Sequence, residues 1–304
     1  MPIYKLADLP VQVSGGSLSA NSAFDSFKER MAPGGGQTLP YILSWKESAK
    51  LQNRPFPPLY VFHNSAINRT GSFGFDGGKW LFKMEEQGEG RVANVVQIQE
   101  IVGQAPDDAI LFSALTNMDG DTAKNQLNLG FWVAFGIAGL FHQAVSVHSS
   151  VVVQRGKAVL FLGGSGTGKS TQSRLWIEHI PDTELLNDDT PFVRIMPDGE
   201  IRVYGFPMSG KTPCYKNKWT HIAAIVRLSQ APFNRLTRLG GFSAFSALMP
   251  SCPEMFMQDR TLREKITGII DGVINAIPVY HLECLPDKEA AQMAYDEIFG
   301  AKNI

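Results

Sequence analysis

FLGGSGTGKST (161–171) decides how this chain is read, because an apolar run enters four closely spaced glycines and leaves through a lysine and two hydroxyl residues. Gly163, Gly168, Lys169 and Ser170 satisfy G-x-x-x-x-G-K-[ST], the phosphate-binding loop. Each part of that pattern has its own physical reason. Without Cβ atoms, Gly163, Gly164, Gly166 and Gly168 let backbone N–H groups turn inward and approach phosphate oxygens closely. A helix beginning near Lys169 would aim a partial positive charge, on the order of half an elementary charge, at the same place. Lys169 would supply a mobile cation for the outer phosphates, and Ser170 a hydroxyl for the magnesium that travels with them.

The flanks extend the pattern. VSVHSSVVV (145–153) and AVLFLG (158–163) are apolar and β-branched with QRGK between them, which predicts a β-hairpin. If Val153 faces Ala158, counting outward places His148 opposite Gly163 at the mouth of the loop. On the far side, STQSRLWIEHI (170–180) reads as a helix stopped by Pro181, and ELLNDD (184–189) as a short strand ending in Asp188 and Asp189. The adjacent strand is therefore expected to deliver the two carboxylates. One could hold magnesium while the other accepts a proton from an incoming hydroxyl, with the roles within the pair left open. YGFPMSGKTPCYKNKW (204–219) predicts a basic loop in which Ser209 and Lys211 could clamp phosphate or acceptor, or in which the lysines are simply solvated. His142, His179, His221 and His281 have no such geometric argument and read as structural.

Residues 1–143 have a different texture, with turn-rich segments between short apolar runs such as LYVFH (59–63), KWLFKME (79–85) and VANVVQIQEIV (92–102). They predict a small mixed or mainly β domain of unassigned role. Asp107, Asp108, Asp119 and Asp121 read there as helix-start and turn residues. GFWVAFGIAGLF (130–141) is too short to span a bilayer and reads as a buried helix. The opening MPIYKLADLP lacks a basic segment followed by an apolar run, so no secretory leader is expected. Three widely separated cysteines offer neither a disulfide framework nor a zinc cluster, which suits a cytoplasmic protein. With 28 basic and 29 acidic residues among 304, no overall field draws the chain to nucleic acid or a membrane surface.

The order VHSSVVVQRGKAVLFLGGSGTGKST, LLNDD, GFPMSGK and HIAAIVRLSQAP resembles the kinase domain of the HPr serine kinase/phosphorylase group, within the phosphoenolpyruvate carboxykinase-like superfamily. The resemblance covers residues 144–304. It implies an α/β domain of the P-loop kind with a mixed, twisted sheet. It also implies ATP with magnesium on residues 163–171, Ser165, Thr167 and Thr171 included, to which the basic loop would add Lys211 as a further contact. Lys169 and Ser170 would hold phosphate and metal, Asp188 and Asp189 would be metal ligand and base, and His148 would support the aspartate. The implied activity is phosphoryl transfer to a hydroxyl on a peptide, protein or small molecule. The arginine-bearing P-G-R-N type segment of that group has no counterpart here, so HPr itself is not implied as the acceptor. A nucleotide-responsive binding module without catalysis is the alternative reading. A carboxykinase-type activity would need a larger core and a further metal-binding set that this chain does not show.

Overall fold

The computed structural model describes all residues except 16–17, 19, 30–40, 49–54, 65–67, 87–91, 102–110, 117–123, 211–212 and 301–304. Asp107, Asp108, Asp119, Asp121 and Lys211 thus lie outside the described residues. The chain is mixed α/β and forms two compact units, Met1–His142 with Glu254–Arg263, and Gln143–Pro253 with Glu264–Ile304.

The first unit is built on an eight-stranded sheet of order β1-β2-β3-β8-β7-β6-β5-β4. Its strands are β1 (Ile3–Leu6), β2 (Leu9–Ser14), β3 (Leu43–Glu47), β4 (Pro58–Asn64), β5 (Arg69–Asp76), β6 (Lys79–Glu86), β7 (Val92–Ile101) and β8 (Leu111–Thr116). β3 runs parallel to β2 and β8, while the β4–β8 meander is antiparallel. Helix α1 (Lys124–Leu140) carries the apolar run read as a buried helix, and Phe131 to Leu140 are buried without a break, Gly136 included. A helix that is apolar all round needs cover on every side. Phe24 and Trp45 meet Phe131 edge-on at 5.2 and 5.4 Å. Phe256 closes the same core against Phe73 and Trp132, and Trp80 Nε1 donates to Asp259 Oδ2 at 3.2 Å. That is why a ten-residue piece from late in the chain belongs to this unit.

The second unit contains β9 (Ala144–Ser146), β10 (Ser149–Gln154), β11 (Lys157–Leu162), α2 (Lys169–His179), β12 (Glu184–Asp189), β13 (Phe192–Ile195), β14 (Ile201–Tyr204), β15 (Trp219–Gln230), β16 (Arg235–Leu239), α3 (Gly241–Leu248), α4 (Arg260–Ala276, from Glu264 onward), β17 (Val279–Cys284) and α5 (Lys288–Phe299). Its sheet runs β12-β10-β11-β15-β14-β13-β9, with β17 also on β15 and β16 on β17. The sheet is mixed, since β11 and β17 pair with β15 in parallel while β10 pairs with β11 and β12 antiparallel. The hairpin register is the one counted from the sequence, Val153 facing Ala158, but Gln154 and Lys157 also pair, leaving a two-residue turn. Arg155 and Gly156 make that turn with φ of 49° and 72°, the left-handed pair that matches strand twist. One expectation needs correcting: β12 is not beside β11. β10 lies between them, because the chain leaves β11 through α2 and returns on the outer side of the hairpin.

Central strand β11 is buried along Ala158–Leu162, as expected for a strand covered on both faces. Phe161, Leu175, Trp176, Leu282, Ala290 and Phe299 form one core in which α2 and α5 cover the sheet. Ser150 Oγ and Ser173 Oγ lie 2.6 Å apart and tie β10 to α2. α2 ends where Pro181 forces extended backbone on Ile180, at φ −113° and ψ 112°. Among the described residues no helix is long and apolar enough to cross a membrane.

Candidate active site

The glycine loop begins where β11 ends and closes where α2 starts. Gly163 is required for space, because a Cβ there would stand 2.6 Å from Thr167 Oγ1. Thr167 in turn donates its hydroxyl to the carbonyl of Gly164, bending the loop back on itself. Gly168 is required for conformation: it takes φ 109° as the residue before α2, where an L side chain would be strained. No side chain caps this helix end, so its first N–H groups face the loop without a competing anchor.

Lys169 is buried at 9% exposure and spends its three donors on the carbonyls of Gly163 and Gly164, at 2.8 and 3.1 Å, and on His148 Nε2 at 2.9 Å. An ammonium can only donate, so His148 Nε2 must accept. The ring proton then sits on Nδ1, which donates to Asp189 Oδ1 at 3.2 Å. A chain therefore runs from Lys169 through His148 to Asp189. Beside it, Ser170 Oγ donates to Asp188 Oδ1 at 3.0 Å. Neighbouring residues on a strand point to opposite sides, which is why two consecutive aspartates reach different partners. Burial pushes the Lys169 ammonium below its ordinary range; Asp189 and Asp188 oppose that shift and Arg227 adds to it.

The carboxylates are held by their own strand and its neighbour. Asp188 and Asp189 pair with Ser150 and Ser149 of β10. Asn187, fully buried, donates to the carbonyls of Phe206 and Met208 at 3.3 and 3.0 Å and accepts from Thr190 N at 3.1 Å. This clamp brings the 204–219 segment alongside: Ser209 bridges to Asp189, and Gly210 N donates to Asp188 O at 2.6 Å. Lys216 and Lys218 instead pair with Glu184, at 2.7 and 3.8 Å. His148, Ser165, Lys169, Ser170, Asp188 and Asp189 line one cavity of about 340 Å³. A second cavity of about 530 Å³ adjoins it, sharing Gly166, Gly168 and Thr171 and continuing past Gln172, Gln230 and Pro232.

No family model matches the chain, and no curated protein matches it. Among the described residues no group of three or more His, Cys, Asp or Glu side chains forms a metal cage. Two carboxylates and a hydroxyl at a helix start suit magnesium instead, since that ion keeps several waters and shares itself with phosphate oxygens. Open loop N–H groups beside a lysine suit the phosphates. Sequence reading overlooked Arg227, Gln172 and Gln230. Arg227 lies across from Leu162 in the β11–β15 ladder, and Gln230 Nε2 donates to Gly166 O at 3.2 Å. An arginine inside the apolar run IAAIVRL was the one available signal. His281 and His221 are accounted for by Ser229 and Glu200, at 2.9 and 3.4 Å.

Proposed function

We propose that the second unit is a P-loop nucleotide-binding domain of the HPr serine kinase kind, transferring the terminal phosphoryl group of ATP to a hydroxyl acceptor. The observation that carries this reading is the Lys169–His148–Asp189 chain lying beside the Ser170–Asp188 pair in one cavity. A glycine turn serving structure alone would need neither the ammonium nor the carboxylates.

In this reading the phosphates lie against the loop and the start of α2, and the nucleoside extends into the adjoining cavity past Pro232. Ser170 and Asp188 would hold magnesium, whose chemistry there would be to neutralise charge on phosphate oxygens. Lys169 exchanges a loop carbonyl for an outer phosphate oxygen, and Arg227 adds positive field from β15. Asp189 accepts the proton of the acceptor hydroxyl, and the Nδ1–H bond from His148 holds that carboxylate in place. Gly210 lines the wall where the acceptor enters, held there by the Ser209 bridge to Asp189.

Binding of magnesium and ATP followed by calorimetry, with transfer of labelled phosphate to a library of serine-containing peptides, tests the proposal. Lys169→Ala should weaken nucleotide binding, and Asp189→Asn should bind ATP normally yet lose about 10²-fold or more in transfer rate. Failure to bind ATP, or an Asp189→Asn variant as active as the parent, would overturn it. Nucleotide binding that alters partner affinity with both aspartates dispensable would favour the non-catalytic module.

A further inference from the structure

A separate cavity of about 430 Å³ lies in the second unit at the ends of β11, β15 and β17 remote from the glycine loop. Lys157 opens β11, and the strand's six residues at about 3.3 Å each put the cavity roughly 20 Å from the loop. Its polar side is formed by Arg155, Lys157, Arg238 and Tyr280; Ile222, Pro278 and Phe299 form an apolar floor. The volume is that of a small-molecule site.

Two features set this cavity apart from an ordinary solvated surface. Its three cations have no carboxylate partner within ion-pair distance among the described residues. Arg155 is instead pinned by the Phe299 carbonyl at 3.3 Å and lies 5.8 Å from the centre of the Tyr295 ring. Tyr280 lines the cavity and is only 4% exposed, yet its hydroxyl bonds to no described residue. Burial, then Glu297, push that hydroxyl upward against the pull of Arg238, so it stays protonated and able to donate. Converging cations in a concave site repel one another and concentrate anions.

We propose that this cavity binds a small organic anion with at least two negative charges, a phosphate monoester or a polycarboxylate. Arg155, Lys157 and Arg238 take the charged oxygens, since guanidinium forks match both groups. Tyr280 donates to a further oxygen, and the organic body rests on Ile222, Pro278 and Phe299. The site is independent of the phosphoryl-transfer reading.

Calorimetric titration of the full chain with phenyl phosphate and with citrate, at low salt, tests the assignment. At least one probe should bind the parent protein, phenyl phosphate alone indicating the ester class and citrate alone the polycarboxylate class. The Lys157→Ala/Arg238→Ala variant should lose at least tenfold in affinity, with Lys169→Ala unaffected. Both replaced side chains are exposed, and the single Arg238→Glu variant gives the same loss should the double variant fold poorly. Binding of neither probe, or binding that survives Arg238→Glu and disappears in Lys169→Ala, would overturn the proposal.

Discussion

Four glycines crowd the loop, but their tolerance of a side chain differs. An alanine at 163 would press on Thr167 Oγ1 at 2.6 Å, whereas at 164 its nearest neighbour is 3.8 Å away. Gly163→Ala should therefore cost about 1–3 kcal/mol as overpacking, with Gly164→Ala close to neutral, as measured by urea denaturation. Cys252 offers a different single-residue test. Burial pushes its thiol up to about 12. Between the ordinary thiol range and that value the unfolded chain has lost the proton and the folded chain keeps it, so stability must fall as pH rises through this window. Denaturation midpoints at pH 8 and pH 10.5 should drop less in Cys252→Ala than in the parent. At this scale the sequence was informative wherever chemistry and backbone demand coincide, as at Lys169 and Gly168. It could not rank Gly163 above Gly164, because that depends on where Thr167 folds back.

The β10–β11 hairpin sets the position of His148. Its register was legible because a tight turn fixes the pairing of everything outward from it. Gly156 holds φ 72° with open space around it, so Gly156→Val should cost about 1–2 kcal/mol through backbone strain alone. A loss of that size in thermal denaturation, with the loop chemistry left intact, would separate the turn's conformational role from packing. Helix α5 is started by equally local chemistry: Asp287 Oδ1 accepts from Ala290 N at 2.9 Å. α4 and the β13–β14 hairpin carry weaker local signals. RTLREKITGIIDGVINA has helical spacing but no cap written before it except Asp259, which accepts from Leu262 N at 2.9 Å.

For the whole molecule, the feature with most consequence is that neither unit is a continuous stretch of chain. Phe256 and Asp259 serve the first unit's core through Phe73, Trp132 and Trp80. An isolated 143–304 fragment would carry Phe256 without those partners. It should bind a hydrophobic dye more strongly and melt at lower temperature than the full chain, whereas a fragment matching the parent in both would mean that residues 254–263 need no such cover.

The sequence by itself determined the strand, glycine loop and helix of residues 157–179, the hairpin that precedes them, and the kinds of side chain at the site, because these rest on local backbone preference and short-range register. Tertiary structure decided that β10 separates β11 from β12, that Asp188 meets Ser170 while Asp189 meets His148, and that Gln230 reaches Gly166 across 64 residues of chain. It also assembled the separate cavity of Arg155, Lys157 and Arg238 from three strand ends. Parallel pairing and long-range burial join residues whose spacing leaves no periodic mark, so only the packed sheet could bring them together.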